Sequence, residues 1–304
     1  MDFTLESLLG NRDIALSNAI LESLQFSDFG NQSVLIQRDD LIHPIVSGNK
    51  WRKLEGWIRY AKENNVHTLV TFGGAYSNHL VATAAAGNFL GFQTIGILRA
   101  DEALDNHYLQ IAKAYGMQIR GVSRDQYREK TAIMSDYSQL EGCLLIPEGG
   151  QGDFALEGFE SLVLSWKDKV DLVYHASATA TTAVGLAKAI KKFDLPIQVK
   201  AILVLKNLNA QIEYAQEHGV NDIIEFIPDF HFGGYAKSTP ELIQFQKDFT
   251  KQTNIVIDPV YTVKALFALK DNFEKGILLP SQKVAFLHTG GMLGGLSEKF
   301  KNLL

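Results

Sequence analysis

The 304-residue chain has one cysteine, Cys143, so an intramolecular disulfide is impossible and the composition suits a reducing, cytoplasmic setting. Its neighbours Leu144, Leu145 and Ile146 place it in a core strand, not at a nucleophilic centre. The eight histidines form no His-x-x-x-His pair and no cluster with cysteine, which argues against a metal site. There is no Gly-x-Ser-x-Gly elbow for acyl transfer and no Walker-type Gly-Lys-Ser/Thr. No block of basic residues occurs and the net charge is −5, so a nucleic-acid surface is not expected. The longest apolar stretch, around Leu80 to Ala86, is too short and alanine-rich to cross a bilayer. The opening Met1-Asp2-Phe3-Thr4-Leu5-Glu6 lacks a basic region followed by an apolar run, so no signal peptide is expected.

What is present is an ordinary globular composition, 46% hydrophobic and 21% charged, long enough for one large or two medium domains. Residues 1–32 are weakly patterned and read as short helices with polar turns. From residue 33 onward strand-like and helix-like segments alternate. Strands are expected at 33–37, 68–72, 93–98, 117–122 and 143–146, with helices from Lys50, from Ser77, at 105–115 and at 124–139. Pro147-Glu148-Gly149-Gly150 looks like a boundary. A second series follows, with strands at 171–175, 198–205, 223–227, 255–257 and 284–288. Its helices are expected at 154–166, 181–193, 209–218, 240–250 and 261–273, and the glycine-rich turn 290–295 comes last. Such alternation predicts an α/β protein of two lobes, each a mostly parallel sheet covered by helices on both faces. Ligands of such folds bind at strand carboxyl ends, in the crevice between lobes.

The candidate residues fall in loops after strands. Ser47-Gly48-Asn49-Lys50-Trp51-Arg52-Lys53-Leu54-Glu55 ends an extended segment and starts a helix whose apolar face is Leu54, Trp57, Ile58 and Ala61. Lys50 and Lys53 then stand one turn apart near free backbone N–H groups. Taken alone, Lys50, Arg52 and Lys53 read as the solvated face of that helix. Ser77-Asn78-His79 follows the strand ending at Phe72, where a hydroxyl serves as an N-cap or as a cradle for a carboxylate. The loop from His175 through Ala178, Thr179, Ala180, Thr181 and Thr182 lies between a strand and a helix, a place for a phosphate. Tyr235 and Tyr261 read alone as half-buried aromatics.

Arg38-Asp39-Asp40, Gly48-Asn49-Lys50, Arg52-Lys53-Leu54-Glu55 and Gly73-Gly74-Ala75-Tyr76-Ser77-Asn78-His79 together resemble one family. It is the D-cysteine desulfhydrase and 1-aminocyclopropane-1-carboxylate (ACC) deaminase family of pyridoxal-phosphate enzymes, with the tryptophan-synthase-β type of fold. The 27-residue step from Lys50 to Ser77 and the 26-residue step from Tyr235 to Tyr261 agree with it. So do Asp258-Pro259-Val260-Tyr261-Thr262 and His288-Thr289-Gly290-Gly291. The resemblance implies that Lys50 holds pyridoxal phosphate covalently and, once freed, takes the Cα proton. It implies that Ser77 and Asn78 face the substrate carboxylate and the cofactor ring, that His79 is among the substrate-binding residues, and that Tyr235 and Tyr261 face the substrate.

Lys53, Ala178, Thr179, Ala180, Thr181, Thr182, Thr262 and Thr289 would complete the cofactor site. It further implies a homodimer and a discontinuous large domain, 1–53 with 152–304, around a small one, 54–151. The phosphate loop departs from the family's glycine-rich form, with Ala178 and Thr181 where glycines are expected. Since such residues resist positive φ, ordinary backbone angles or another way of binding phosphate are expected there. Thr262 stands where ACC deaminases carry glutamate, and Thr289 where they tend to carry leucine. Both threonines favour β-elimination from D-cysteine, giving pyruvate, ammonia and sulfide. ACC ring opening to 2-oxobutyrate and ammonia is the alternative, and a catalytically degenerate binding protein is an alternative of another class.

Overall fold

The computed structural model describes residues 19–30, 32–46, 48–99, 106–291 and 293. In chain order its elements are β1 (Ile20–Leu24), β2 (Val34–Arg38), α1 (Gly48–Glu63), β3 (Thr68–Phe72), α2 (Asn78–Leu90), β4 (Gln93–Arg99) and α3 (His107–Ala114). Next come β5 (Gln118–Val122), α4 (Arg124–Arg128), α5 (Lys130–Ser138), β6 (Cys143–Ile146), α6 (Asp153–Glu157) and α7 (Glu160–Ser165). The chain continues through β7 (Leu172–Ser177), α8 (Thr181–Lys192), β8 (Gln198–Leu203), α9 (Leu208–Glu217), β9 (Ile224–Ile227), α10 (Pro240–Thr253), α11 (Thr262–Glu274) and β10 (Val284–His288). They group into two compact units, residues 43–155, and residues 17–42 with 156–304 as far as these are described. Helix α1 runs unbroken across residue 53 and groups whole with the first unit.

The first unit is a four-stranded, all-parallel sheet in the order β5-β4-β3-β6. Val70, Phe72 and Ile97 pack with Ile133 and Tyr137 of α5. Alanine-rich α2 is buried along its whole length from His79 to Gly87, which explains an apolar helix with no polar face. In α1, Leu54, Trp57, Ile58 and Ala61 are all buried, as their spacing predicts, and Trp57 Nε1 donates to Gly150 O at 3.3 Å. The single helix expected over 124–139 is two, because Glu129 leaves helical angles at φ −90°, ψ 56°.

The second unit is a six-stranded sheet, β1-β2-β10-β7-β8-β9, parallel throughout except for β1. Side-chain alternation along β10 divides two cores. Val284 and Phe286 pack with α10 and α11, whereas Ala285 and Leu287 join Trp166 and the helices α7 and α8. Trp166 Nε1 donates to Gln37 Oε1 at 3.0 Å.

Two expectations fail here. Residues 20–24 form an antiparallel edge strand, not a helix or turn. Residues 255–257 form no strand, although Ile255 and Ile257 are buried as their alternation suggests. Side chains hold their carbonyls in place of a ladder: Gln246 Nε2 donates to Ile257 O at 2.9 Å, and His288 Nε2 lies 2.8 Å from Val256 O.

Candidate functional site

In the first unit, Lys50 is half-buried in the first turn of α1 and Lys53 lies one turn on, 3% exposed. Ser47 lies outside the described residues. Arg52 is buried as well, so the reading of a solvated basic face is overturned. Lys53 Nζ donates to Gly149 O at 3.4 Å and has no carboxylate partner among the described residues. Burial, and then the nearby charge of Lys50, hold Lys53 well below the usual lysine range. An anion brought to this ammonium would reverse that shift.

Ser77 caps α2, its Oγ accepting from Leu80 N at 3.3 Å. Gly73 makes room for this turn, since a Cβ there would lie 2.8 Å from Ser77 Oγ. Ser77 and Asn78 are half-buried, and His79 is buried. Thr71 Oγ1 donates its one hydrogen to Ile146 O at 2.8 Å, so toward His79 Nε2, 3.0 Å away, it must accept. The proton of His79 is therefore on Nε2, and Nδ1 is left as a buried lone pair with no hydrogen-bond partner. Burial and the charges of Lys50 and Lys53 push its pKa well below 6.5, so the ring is neutral. Gly150, at φ +75°, packs against this pair: a Cβ there would lie 3.1 Å from His79 Cε1 and 3.4 Å from Lys53 Cβ. The glycine pair expected as a boundary thus also packs beside Lys53 and His79.

In the second unit, the loop after β7 enters α8 through Ala180 at φ 54°, ψ −17°. Ala178 and Thr181, the positions matched to glycines, have no positive φ; the loop instead takes its one left-handed residue at Ala180, with a methyl group, at about 1–2 kcal/mol. Thr181 and Thr182 are buried, Ala178 is half-buried and Thr179 is exposed. Two residues that the sequence reading missed pin this loop, since Asn207 Nδ2 and Gln211 Nε2 both donate to Ala178 O. Their signal was an amide pair four residues apart at the start of α9.

The second unit's other candidates come together at the start of α11. Asp258 Oδ2 accepts from Tyr261 N at 2.5 Å and Thr262 N at 3.2 Å. Burial raises the Asp258 carboxyl to about 6, against the lowering effect of those amides and of Lys264. A Cβ on Gly291 would lie 3.7 Å from Asp258 Cβ, so the loop after β10, with buried Thr289, passes beside it. Met292 and 294–304 lie outside the described residues. The rings of Tyr235 and Tyr261 meet edge to face, 5.9 Å between centroids, with Tyr235 half exposed. Tyr235 sits in a loop where Phe232, Gly233, Gly234 and Ala236 all take positive φ.

These residues fit the pyridoxal phosphate that the resemblance implies. Helix α8 starts without a side-chain cap, and a helix N-terminus of this kind suits a phosphate. Thr262 Oγ1, 1% exposed, has no hydrogen-bond partner, as does Asp258 Oδ1. Buried polar atoms of this kind mark a place for a polar ligand or water. Among the described residues no group of histidine, cysteine and carboxylate side chains could hold a metal ion, and no helix is long and apolar enough to cross a membrane.

Comparison with known proteins agrees over most of the chain. The model of the pyridoxal-phosphate dependent enzyme family matches residues 16–290. A protein of Thermotoga maritima, provisionally named a 1-aminocyclopropane-1-carboxylate deaminase, is 30% identical over 283 residues, covering 86% of this chain and 89% of its own. The bifunctional D-cysteine desulfhydrase/1-aminocyclopropane-1-carboxylate deaminase of Arabidopsis thaliana, mitochondrial, is 29% identical over 85% of this chain and 72% of its own. The crystal structure of an ACC deaminase homologue superimposes with a TM-score of 0.79 at 27% identity, covering all of both chains.

Proposed function

Because the chain belongs to the family of pyridoxal-phosphate-dependent enzymes, with lyases and deaminases of the D-cysteine desulfhydrase and ACC deaminase kind as its relatives, we propose that it eliminates sulfide from D-cysteine. With one water consumed, the products are pyruvate, ammonia and hydrogen sulfide. The observation that carries this reading is Thr262, a buried hydroxyl with a free Oγ1 where the ACC deaminases of the family have a carboxylate. A hydroxyl leaves the ring nitrogen of the cofactor neutral, a weaker electron sink that suits loss of a good β-leaving group.

When bound, pyridoxal phosphate supplies a conjugated ring that accepts the electron pair left at the substrate Cα. The chain's own residues do the rest. Lys50 Nζ would hold the cofactor covalently and, as a free amine, would take the substrate Cα proton. Ser77 and Asn78 at the start of α2 would receive the substrate carboxylate, with His79 beside them among the substrate-binding residues. Asn78 also meets the ring hydroxyl, and the neutral His79 offers Nδ1 only as an acceptor. The start of α8, from Ala178 to Thr182, would hold the phosphate, and Lys53 is the first unit's candidate for supplying a charge to the cofactor. Thr262 would meet the ring nitrogen, Thr289 would line the ring, and Tyr235 and Tyr261 would face the substrate side chain. The division into a large cofactor domain, 1–53 with 152–304, and a small one, 54–151, belongs to the same proposal. So do a homodimer and a cytoplasmic setting.

The second reading is ACC ring opening with Tyr261 assisting, favoured by the names of the Thermotoga maritima relative and of the structural neighbour. The deciding experiment supplies purified holoenzyme with D-cysteine, L-cysteine and ACC in parallel and follows sulfide, pyruvate and 2-oxobutyrate. Sulfide and pyruvate from D-cysteine, at a kcat/KM well above that for ACC, is the expected result. 2-Oxobutyrate from ACC as the dominant product would replace it with the second reading.

A further inference from the structure

Lys264 is the most deeply buried lysine of the second unit, with no exposed surface, on the third position of α11. Its ammonium donates to two backbone carbonyls, His231 O at 2.9 Å and Gly234 O at 2.8 Å. Its backbone N–H donates to Tyr261 O at 3.1 Å. One residue therefore holds Tyr261 by its main chain and, by its side chain, the loop that presents Tyr235.

That loop needs holding. Gly234 N returns to His231 O at 2.9 Å, closing a turn whose two central residues, Phe232 and Gly233, have φ of 51° and 94°. Gly234 follows at 114° and Ala236 at 51°. Phe232 and Ala236 are not residues that relax into the left-handed region, so contacts from outside must select it. A buried ammonium with two carbonyl acceptors is such a contact, since losing it would remove the charged donor and leave His231 O and Gly234 O only their local main-chain donors, Gly234 N and Lys237 N. Asp258 reinforces the arrangement: its charge interacts favourably with Lys264, and its Oδ2 caps the amides of Tyr261 and Thr262.

We propose that Lys264 is a positioning residue, setting Tyr235 against Tyr261 at the substrate side of the site. It touches no reacting atom and acts through the Tyr235 loop. The proposal rests on the reading of Tyr235 as a substrate-facing residue.

The test pairs a physical readout with a kinetic one. Hydrogen exchange on the holoenzyme compares wild type with Lys264→Met, Lys264→Gln and Lys264→Arg. The expected result is exchange at residues 231–236 rising roughly tenfold in Lys264→Met and Lys264→Gln, with the amides of α1 unchanged and Lys264→Arg returning part of the protection. In turnover of D-cysteine, Lys264→Met should lower kcat roughly ten- to hundredfold. It should add nothing once Tyr235→Phe is present, because both changes act through one side chain; a merely structural role would give additive losses. Unchanged exchange at 231–236, or additive kinetics, overturns the proposal. Should Lys264→Met not fold, Lys264→Gln and Lys264→Arg carry both arms. If the wild type turns over neither D-cysteine nor ACC, the functional reading fails by itself and the exchange arm still decides whether Lys264 sets the loop.

Discussion

In the first unit burial lowers the pKa of two nitrogen bases beside Lys50, and in the second it raises that of a carboxyl at the start of α11. Lys53 and His79 are buried beside Lys50, and both are driven toward their neutral, basic forms. In the second unit the buried carboxyl of Asp258 is driven toward its protonated form, up to about 6, and accepts from the amide of Thr262, itself a neutral hydroxyl residue. The same desolvation thus prepares a proton acceptor in one unit and a hydrogen-bonding, weakly charged surface in the other. The sheets differ in the same sense. The smaller one is wholly parallel, whereas the larger carries an antiparallel edge strand and distinct cores on its two faces.

The sharpest way to break the comparison is to remove the nitrogen chemistry. Lys50→Ala should lower turnover by about ten-thousandfold or more and abolish borohydride trapping of the cofactor on the peptide containing residue 50. Retained turnover would show that Lys50 is not the reacting amine. Next comes the two-sided core. Phe286→Ala should destabilise the protein by about 3–5 kcal/mol in urea titration, with Lys53 still shielded from amine-specific acylation under native conditions.

A finer probe is the oxygen half. Asp258 has a native pKa raised above its unfolded value, so between about pH 4 and 6 the native state binds the extra proton and stability falls as pH rises. Relative to Asp258→Asn, which keeps a capping oxygen, the wild type should lose up to about 3 kcal/mol across that window. Parallel curves for the two proteins would show that the carboxyl titrates normally. The smallest effect belongs to the phosphate loop. Ala180→Gly should relax its left-handed residue and raise stability by about 1 kcal/mol, read as a shift in Tm.

Much of the fold was legible because its strands are short apolar runs and its helices carry caps or clear apolar faces. Thr68–Phe72, Cys143–Ile146 and Val284–His288 lie where the sequence pattern puts them. The misses have physical causes. At 255–257 the alternation reports burial, but side chains of Gln246 and His288 take the carbonyls that a ladder would use. At 20–24 an edge strand with four of five residues not fully buried leaves little hydrophobic signal.

For the site, a run such as His175–Thr182 shows where a loop lies but not which residue turns left-handed. Ala180 does so in a loop whose Ala178 carbonyl is clamped by Asn207 and Gln211, some thirty residues on. Lys264 was invisible for a related reason: its partners are main-chain carbonyls, which leave no trace in side-chain identity.

The two hydrogen-bonded tryptophans give each unit its own optical signature. Trp57, tied to Gly150, reports from the first unit, and Trp166, tied to Gln37, from the second. Both indoles are shielded from water, so each should emit at short wavelength in the native protein and shift to the red as its own surroundings open. With half-buried Trp51 replaced by phenylalanine, Trp57→Phe and Trp166→Phe yield two single-emitter proteins. Their fluorescence melts then show directly whether the units come apart together or one after the other.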